Sequence, residues 1–153
     1  MFYIIAFVFG SIWGSFANVC IYRLPANKNV ATGRSCCPNC NKLIKWYDNI
    51  PIISFLFLKG VCRNCSKKIN TQYLLVELIS GFSFAICYYF FGISITTLLF
   101  FILTICFVII FFIDLKHFII PNEITFSMMV LGFIKSFDPN LNSLFPNYIN
   151  SLI

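Results

Sequence analysis

The sequence predicts an all-α integral membrane protein of about four transmembrane helices, with a cytoplasmic cysteine-rich loop between the first two. Three observations predict it. The chain of 153 residues is 59% hydrophobic and 10% charged, with a mean hydropathy of +0.87. That leaves too little polar surface to cover a soluble core. Its apolar residues gather into runs of membrane length, and about 20 residues at ~1.5 Å each cross the hydrocarbon layer. A lipid-exposed backbone must satisfy its own hydrogen bonds, which selects helices.

The first run, Phe2 to Tyr22, has no basic residue before it and no small-x-small cleavage pattern. It is longer than the core of a signal peptide, so it reads as a retained helix over 1–22. A second helix is expected over 73–91, interrupted only by Glu77, and a third over 95–118. A fourth, over 122–137, is short enough that it would only just cross a thin bilayer. After Asp138-Pro139 the remaining fragment is too short to span, and no internal repeat stands out. Three regions follow: helix 1 (1–22), a polar loop (23–72) and a helical domain (73–153).

The loop carries nine basic residues against Asp48 alone, while the whole chain is +6. Basic loops stay on the cytoplasmic side. This places the N-terminus outside, the loop inside and the end of the third helix at the cytoplasmic boundary. Lys135, near the outer end, dissents. The charge also fits nucleic acid, but a loop held against anionic lipid is the simpler account.

Within the loop stand Cys37-Pro38-Asn39-Cys40 and Cys62-Arg63-Asn64-Cys65. Two residues between thiolates let one turn offer both sulfurs to one ion, and two such turns complete a tetrahedral site. Cys37, Cys40, Cys62 and Cys65 are the expected ligands of a structural zinc ion, since cytoplasmic thiols are kept reduced. The rival is a membrane thiol-disulfide enzyme using the same pairs. Cys36 is an alternative ligand to Cys37, although pairing it with Cys40 gives a less regular spacing. Cys20, Cys87 and Cys106 lie in apolar runs and read as packing residues.

Among the helices, Gly10 and Gly14 form a small-residue pair that allows close helix approach, with Asn18 one step further on the same face. Glu77, about one turn inside its helix, reads as snorkelling to the interface or pairing with Arg23 or Lys68. Glu123 suits a helix N-terminus. Asp114 is different. It follows a run, Ile95 to Ile113, that contains no charge, and it sits where the helix dipole disfavours an anion. An ionisable group there is a functional-site candidate; neutralisation by Lys116 is the plainer alternative.

Taken together these stretches resemble the type IV prepilin peptidase family. The resemblance rests on Gly14-Ser15-Phe16-Ala17-Asn18-Val19 with Arg23-Leu24-Pro25, on the segment Arg34 to Cys40, and on Asp48-Asn49-Ile50-Pro51. It continues through Gly60 to Cys65, Tyr73 with Glu77, and Asp114-Leu115 with Ile120-Pro121-Asn122. It implies a multi-pass protein of the bacterial inner membrane that cleaves the basic leader of prepilins or pseudopilins after a glycine. It also implies S-adenosylmethionine as methyl donor where the new N-terminus is methylated. By motif match Asp114 corresponds to the first of two catalytic aspartates. The second belongs to a G-x-G-D motif that does not occur in these residues, and Asp138, in a turn-like context near the outer side, is no substitute. The expectation is therefore the loop domain plus the first part of a catalytic domain. The expected partners are prepilin or pseudopilin substrates and membrane lipids, with no nucleic acid. A non-catalytic zinc-loop module of a pilus or type II secretion system is the alternative, and a thiol redox protein a further one.

Overall fold

A computed structural model of the chain describes residues 2–31 and 33–137. Its elements are helix α1 (Phe2–Arg23), two short 3-10 turns η1 (Leu24–Ala26) and η2 (Trp46–Asn49), a single helical turn α2 (Ile53–Phe57), and helices α3 (Gln72–Phe91), α4 (Ile95–His117) and α5 (Asn122–Phe137). Pro25 cannot continue α1, and Asn27 turns the chain through a left-handed conformation (φ 51°). Ser94 caps α4 by accepting from the Thr97 amide at 3.2 Å. At its other end Phe118 takes a left-handed conformation and donates its amide to the Asp114 carbonyl.

Among the described residues three helices are long and apolar enough to cross a membrane: Phe2–Ala26, Gln72–Phe91 and Thr97–His117. With their large exposed apolar side chains, such as Ile5, Ile86 and Phe107, they describe a multi-pass membrane protein. The fourth expected helix forms as α5, but its 16 residues rise only ~24 Å, short of a ~30 Å hydrocarbon layer. Asp138 and the fragment after it lie outside the described residues.

The most intimate packing joins α1 to α3, and it requires glycine. A Cβ on Gly10 would stand 2.6 Å from the Ser80 carbonyl oxygen, and one on Gly14 would stand 2.9 Å from the Glu77 Cα. From the facing side, a Cβ on Gly81 would meet the Ser11 hydroxyl at 2.5 Å. The expected small-residue contact is thus a two-sided backbone approach. Asn18 reaches across the same seam, donating to the Tyr73 carbonyl at 3.0 Å. α4 closes the bundle through Phe101, whose ring lies 4.3 Å from Phe84 of α3 and 6.3 Å from Trp13 of α1. Ala17, Cys20, Ile21, Val76, Ile109 and Ile113 fill the core below it, and Cys106 packs against them.

The seam makes a direct prediction. Gly10→Ala or Gly14→Ala should destabilise the bundle by about 1–3 kcal/mol, the usual cost of overpacking a filled contact. Thermal unfolding in detergent should show a lowered midpoint for both. Gly132→Ala, where a Cβ meets nothing within 4 Å, should not be destabilised.

Candidate functional site

The two cysteine turns are copies of one another. In the first, the Cys37 amide donates to the Lys42 carbonyl (3.0 Å) and the Asn41 amide to the Cys37 carbonyl (2.8 Å). In the second, Cys62 donates to Lys67 and Ser66 to Cys62, both at 2.9 Å. Bridges Cys36–Leu43 and Val61–Lys68 close the turns, and Asn41 and Ser66 both turn left-handed, at φ 55° and 56°. The residues repeat as well, as Cys-x-Asn-Cys-x-Lys-x-Ile at 37–44 and 62–69. This corrects the expectation of no internal repeat. The unit is far shorter than the ~20–50 residue periods by which repeat folds announce themselves.

The turns bring together the sulfurs of Cys37, Cys40, Cys62 and Cys65, all within 4.8 Å of one another. Cys37 and Cys65 are 3.9 Å apart. A tetrahedral ion about 2.3 Å from each thiolate sets sulfurs ~3.8 Å apart, whereas a disulfide needs ~2.05 Å. The sulfurs are spread as ligands of a single ion, and the four could hold a metal. Cys36 lies outside the group. Side chains alternate along its extended segment, so Cys36 faces solvent while Cys37 is buried.

Electrostatics prepare the cluster for a cation. The amides of Asn64 and then Cys65 point at the Cys62 sulfur and draw its pKa down to about 7. For Cys65 the Lys67 amide pulls downward too, but partial loss of water and the neighbouring sulfurs prevail and push it up to about 11. The first negative charge is accepted and the next resisted, the behaviour of ionisable groups that share one site.

Three polar fasteners hold the loop. Arg63 of the second turn forks onto Asp48, with Nε 2.9 Å from Oδ2 and Nη2 2.7 Å from Oδ1, which ties that turn to η2. Arg23, at the end of α1, donates to the carbonyls of Asn29, Val30 and Gly33. Glu77, buried in α3, accepts the Ile52 amide at 2.7 Å, and the Ser15 hydroxyl of α1 lies near it. Sequence reasoning expected Glu77 to snorkel or to pair with Arg23 or Lys68. The structure corrects this: its hydrogen-bond partner is the Ile52 amide, and Arg23 is turned to loop carbonyls. Ile52 is a β-branched residue at φ 62°, ψ −54°, a strained tight turn with the Ile53 amide bonded back to the Pro51 carbonyl. Glu77 secures that turn.

Between the loop and the helix ends lies a cleft of about 930 Å³. Its lining includes Asn18, Cys37, Cys62, Tyr73, Glu77 and, from the end of α4, Lys116 and His117. The ends of α1 and α4 and the start of α3 therefore share the loop's side of the bundle. Asp114 belongs to that end of α4 but is exposed and does not line the cleft. Its carboxyl makes no hydrogen bond or salt bridge among the described residues, so the alternative pairing with Lys116 does not form. Two helical positions apart, the side chains leave opposite sides of α4.

A bundle of membrane-length helices with a four-cysteine loop braced across one end is the class of protein these features define. The chain belongs to the peptidase A24 family. Residues 8–91 match the Bacterial Peptidase A24 N-terminal domain and residues 101–153 the Type IV leader peptidase family. A prepilin leader peptidase/N-methyltransferase of Myxococcus xanthus is 38% identical over 90% of this chain and 41% of its own length. Proteins of the same description from Vibrio cholerae and Neisseria gonorrhoeae are 40% and 34% identical, over 86% and 88% of this chain and 56% and 55% of theirs. The chain thus spans about half the length of the curated relatives it matches. No solved structure matches it significantly.

The Asp48–Arg63 fork gives a pH prediction. Arg63 bonded to Asp48 lowers that carboxyl's pKa from 3.8. A depressed folded pKa means that the stabilisation is complete above 3.8 and is lost only as pH falls through the lower folded value. Loop amide exchange, corrected for intrinsic rate, should carry a constant contribution from the fork between about pH 7 and pH 5, so that any change over that window tracks Cys62. Asp48→Ala should speed it several-fold across that whole window, with helix content intact by circular dichroism.

Proposed function

We propose that this chain carries the loop domain and the first catalytic aspartate, Asp114, of a prepilin leader peptidase of the aspartic type. The observation that carries the reading is the pair of family matches in order, 8–91 and 101–153, with Asp114 inside the second. Asp114 stands at the loop end of an apolar helix, where a leader emerging from the bilayer could meet it. In the proposed reaction one carboxylate takes a proton from the attacking water while a partner aspartic acid protonates the leaving amine. One carboxyl cannot fill both roles at once. The 153 residues alone are therefore expected to leave a prepilin uncleaved. Fusion to the family's G-x-G-D helices should restore cleavage, and Asp114→Asn should then reduce it at least ~100-fold, the scale of a lost acid-base group. Cleavage by the 153 residues alone, or by the extended Asp114→Asn protein, would refute this assignment.

The loop is proposed to hold one structural zinc through Cys37, Cys40, Cys62 and Cys65, a closed set that leaves no position for water. S-adenosylmethionine, which would supply a methyl group to the new N-terminus, is proposed as a second ligand of this family member. The cleft of about 930 Å³ is within the range of small-molecule sites. Purified protein is expected to contain one zinc per chain by mass spectrometry, lost on changing any of the four cysteines to Ser and kept in Cys36→Ser. Metal-free protein with two disulfides would favour thiol redox chemistry instead.

The proposed location is the bacterial inner membrane, N-terminus outside and basic loop inside, supported by eight basic residues gathered between α1 and α3, with Arg23 at the end of α1. In a Cys36→Ser background, an impermeant thiol reagent on intact cells should label Ser94→Cys and spare Asn29→Cys; the reverse pattern would invert the topology. A second reading, a non-catalytic zinc-loop module of a pilus or type II secretion system, is favoured by one fact. The braced cleft is built without Asp114. The fusion assay separates the two.

A further inference from the structure

The loop exposes apolar side chains that a water-soluble surface would not keep. Phe57 is 83% exposed, Trp46 78%, Leu56 63% and Ile53 52%. They are not unmet core residues, because the inward side of α2 is already served. Phe55 packs on Gly60, with its ring 3.0 Å from where a Cβ would stand, and it lines the cleft with Leu58. α2 therefore has an inner face turned to protein and an outer face turned to nothing among the described residues.

The depth of α2 says what covers that outer face. The residue just before it, Ile52, is bonded to Glu77, the sixth residue of α3 and ~7.5 Å along that helix from its first residue. Side chains lean toward a helix's N-terminus, so the Ile52 amide lies within the first turn and a half of a membrane-spanning helix. Ser15, which lies near Glu77, is eight residues inside the end of α1. The chain dips into the bundle at Ile52 and then exposes Ile53, Leu56 and Phe57 at that level. Lys45 and Lys59 flank the segment, and its one acid, Asp48, is already matched by Arg63.

We infer that the segment Trp46–Phe57 is an interfacial anchor, with Trp46, Ile53, Leu56 and Phe57 seated at the headgroup–acyl boundary of an anionic leaflet. Trp suits that boundary, and lysines on long stems reach from it to anionic headgroups. The anchor presses the cysteine loop onto the membrane surface beside the ends of α1, α3 and α4. The inference is independent of peptide cleavage and of which leaflet faces the cytoplasm.

The test is depth-dependent fluorescence quenching of the full chain in vesicles of phosphatidylcholine and phosphatidylglycerol. Trp13→Phe leaves Trp46 as the single tryptophan, since the chain has two. A second protein, Trp13→Phe with Trp46→Phe and Phe57→Trp, reports from α2. Lipids brominated near the carbonyl should remove most of the emission of both proteins, and lipids brominated near the chain terminus distinctly less. Aqueous acrylamide should quench each several-fold less than free tryptophan. Retained metal content in both proteins certifies that the loop is folded. Emission indifferent to brominated lipid and fully open to acrylamide would overturn the inference and assign the patch to a protein partner.

Discussion

The absence of three β-carbons sets this structure. Gly10 and Gly14 on one helix and Gly81 on the other let the backbones of α1 and α3 touch, and the polar contacts that join the two helices and the loop at Ile52 follow from that proximity. Only with the helices so close can Glu77 of α3 lie against α1 at Gly14 and still reach the Ile52 amide. The same proximity lets Asn18 cross to the Tyr73 carbonyl. In a membrane, where no water competes for these groups, such bonds are costly to leave unmade. The seam thus does more than hold two helices together. It fixes the point at which a polar domain is attached to an apolar bundle.

The loop itself has almost no core. Cys37 is its one fully buried apolar residue among those described, and its order comes from the twin cysteine turns, the Arg63–Asp48 fork and the carbonyls gathered by Arg23. A unit this small needs a staple, and a four-thiolate metal site is the kind that suits a reducing compartment. The charge on the sulfurs points the same way. Cys62 is drawn down to about 7 while Cys65 is pushed up to about 11, and the four sulfurs together could hold a metal. Asp114 stands apart from this construction, at the same end of the bundle but on a face of α4 turned away from the cleft. Under the proposed peptidase reading, the loop and the catalytic aspartate are separate devices on one scaffold, and the second aspartate has to approach Asp114 from that outer face.

Much of this was legible in the sequence, because the physics involved writes in residue types. Apolar runs announce spans, paired cysteines announce a shared ligand, and glycines four apart announce a close approach. What was not legible depends on the backbone. Glu77 invited the expectation of an ion pair because nearby letters were Arg and Lys, yet its partner is a main-chain amide, which has no letter. The strained turn at Ile52 is invisible for the same reason, since neither Pro51 nor Ile53 marks a positive φ between them. The duplicated turn was hidden by its shortness, with Pro38 and Arg63 occupying equivalent places. Asp114 was found by its cost, but only its position relative to Lys116 around the helix shows why the plain ion pair fails.

The loop is attached to the membrane bundle through Glu77 and the Ile52 amide. Residue-resolved amide hydrogen exchange on the intact protein tests that attachment. The Ile52 amide should be strongly protected, should lose that protection in Glu77→Ala, and should keep much of it in Glu77→Gln, whose carbonyl oxygen can still accept. The amides of Cys37 and Cys62, bonded within their own turns, should stay protected in all three proteins. An Ile52 amide that exchanges freely in the unaltered protein, or one indifferent to Glu77→Ala, would contradict the account.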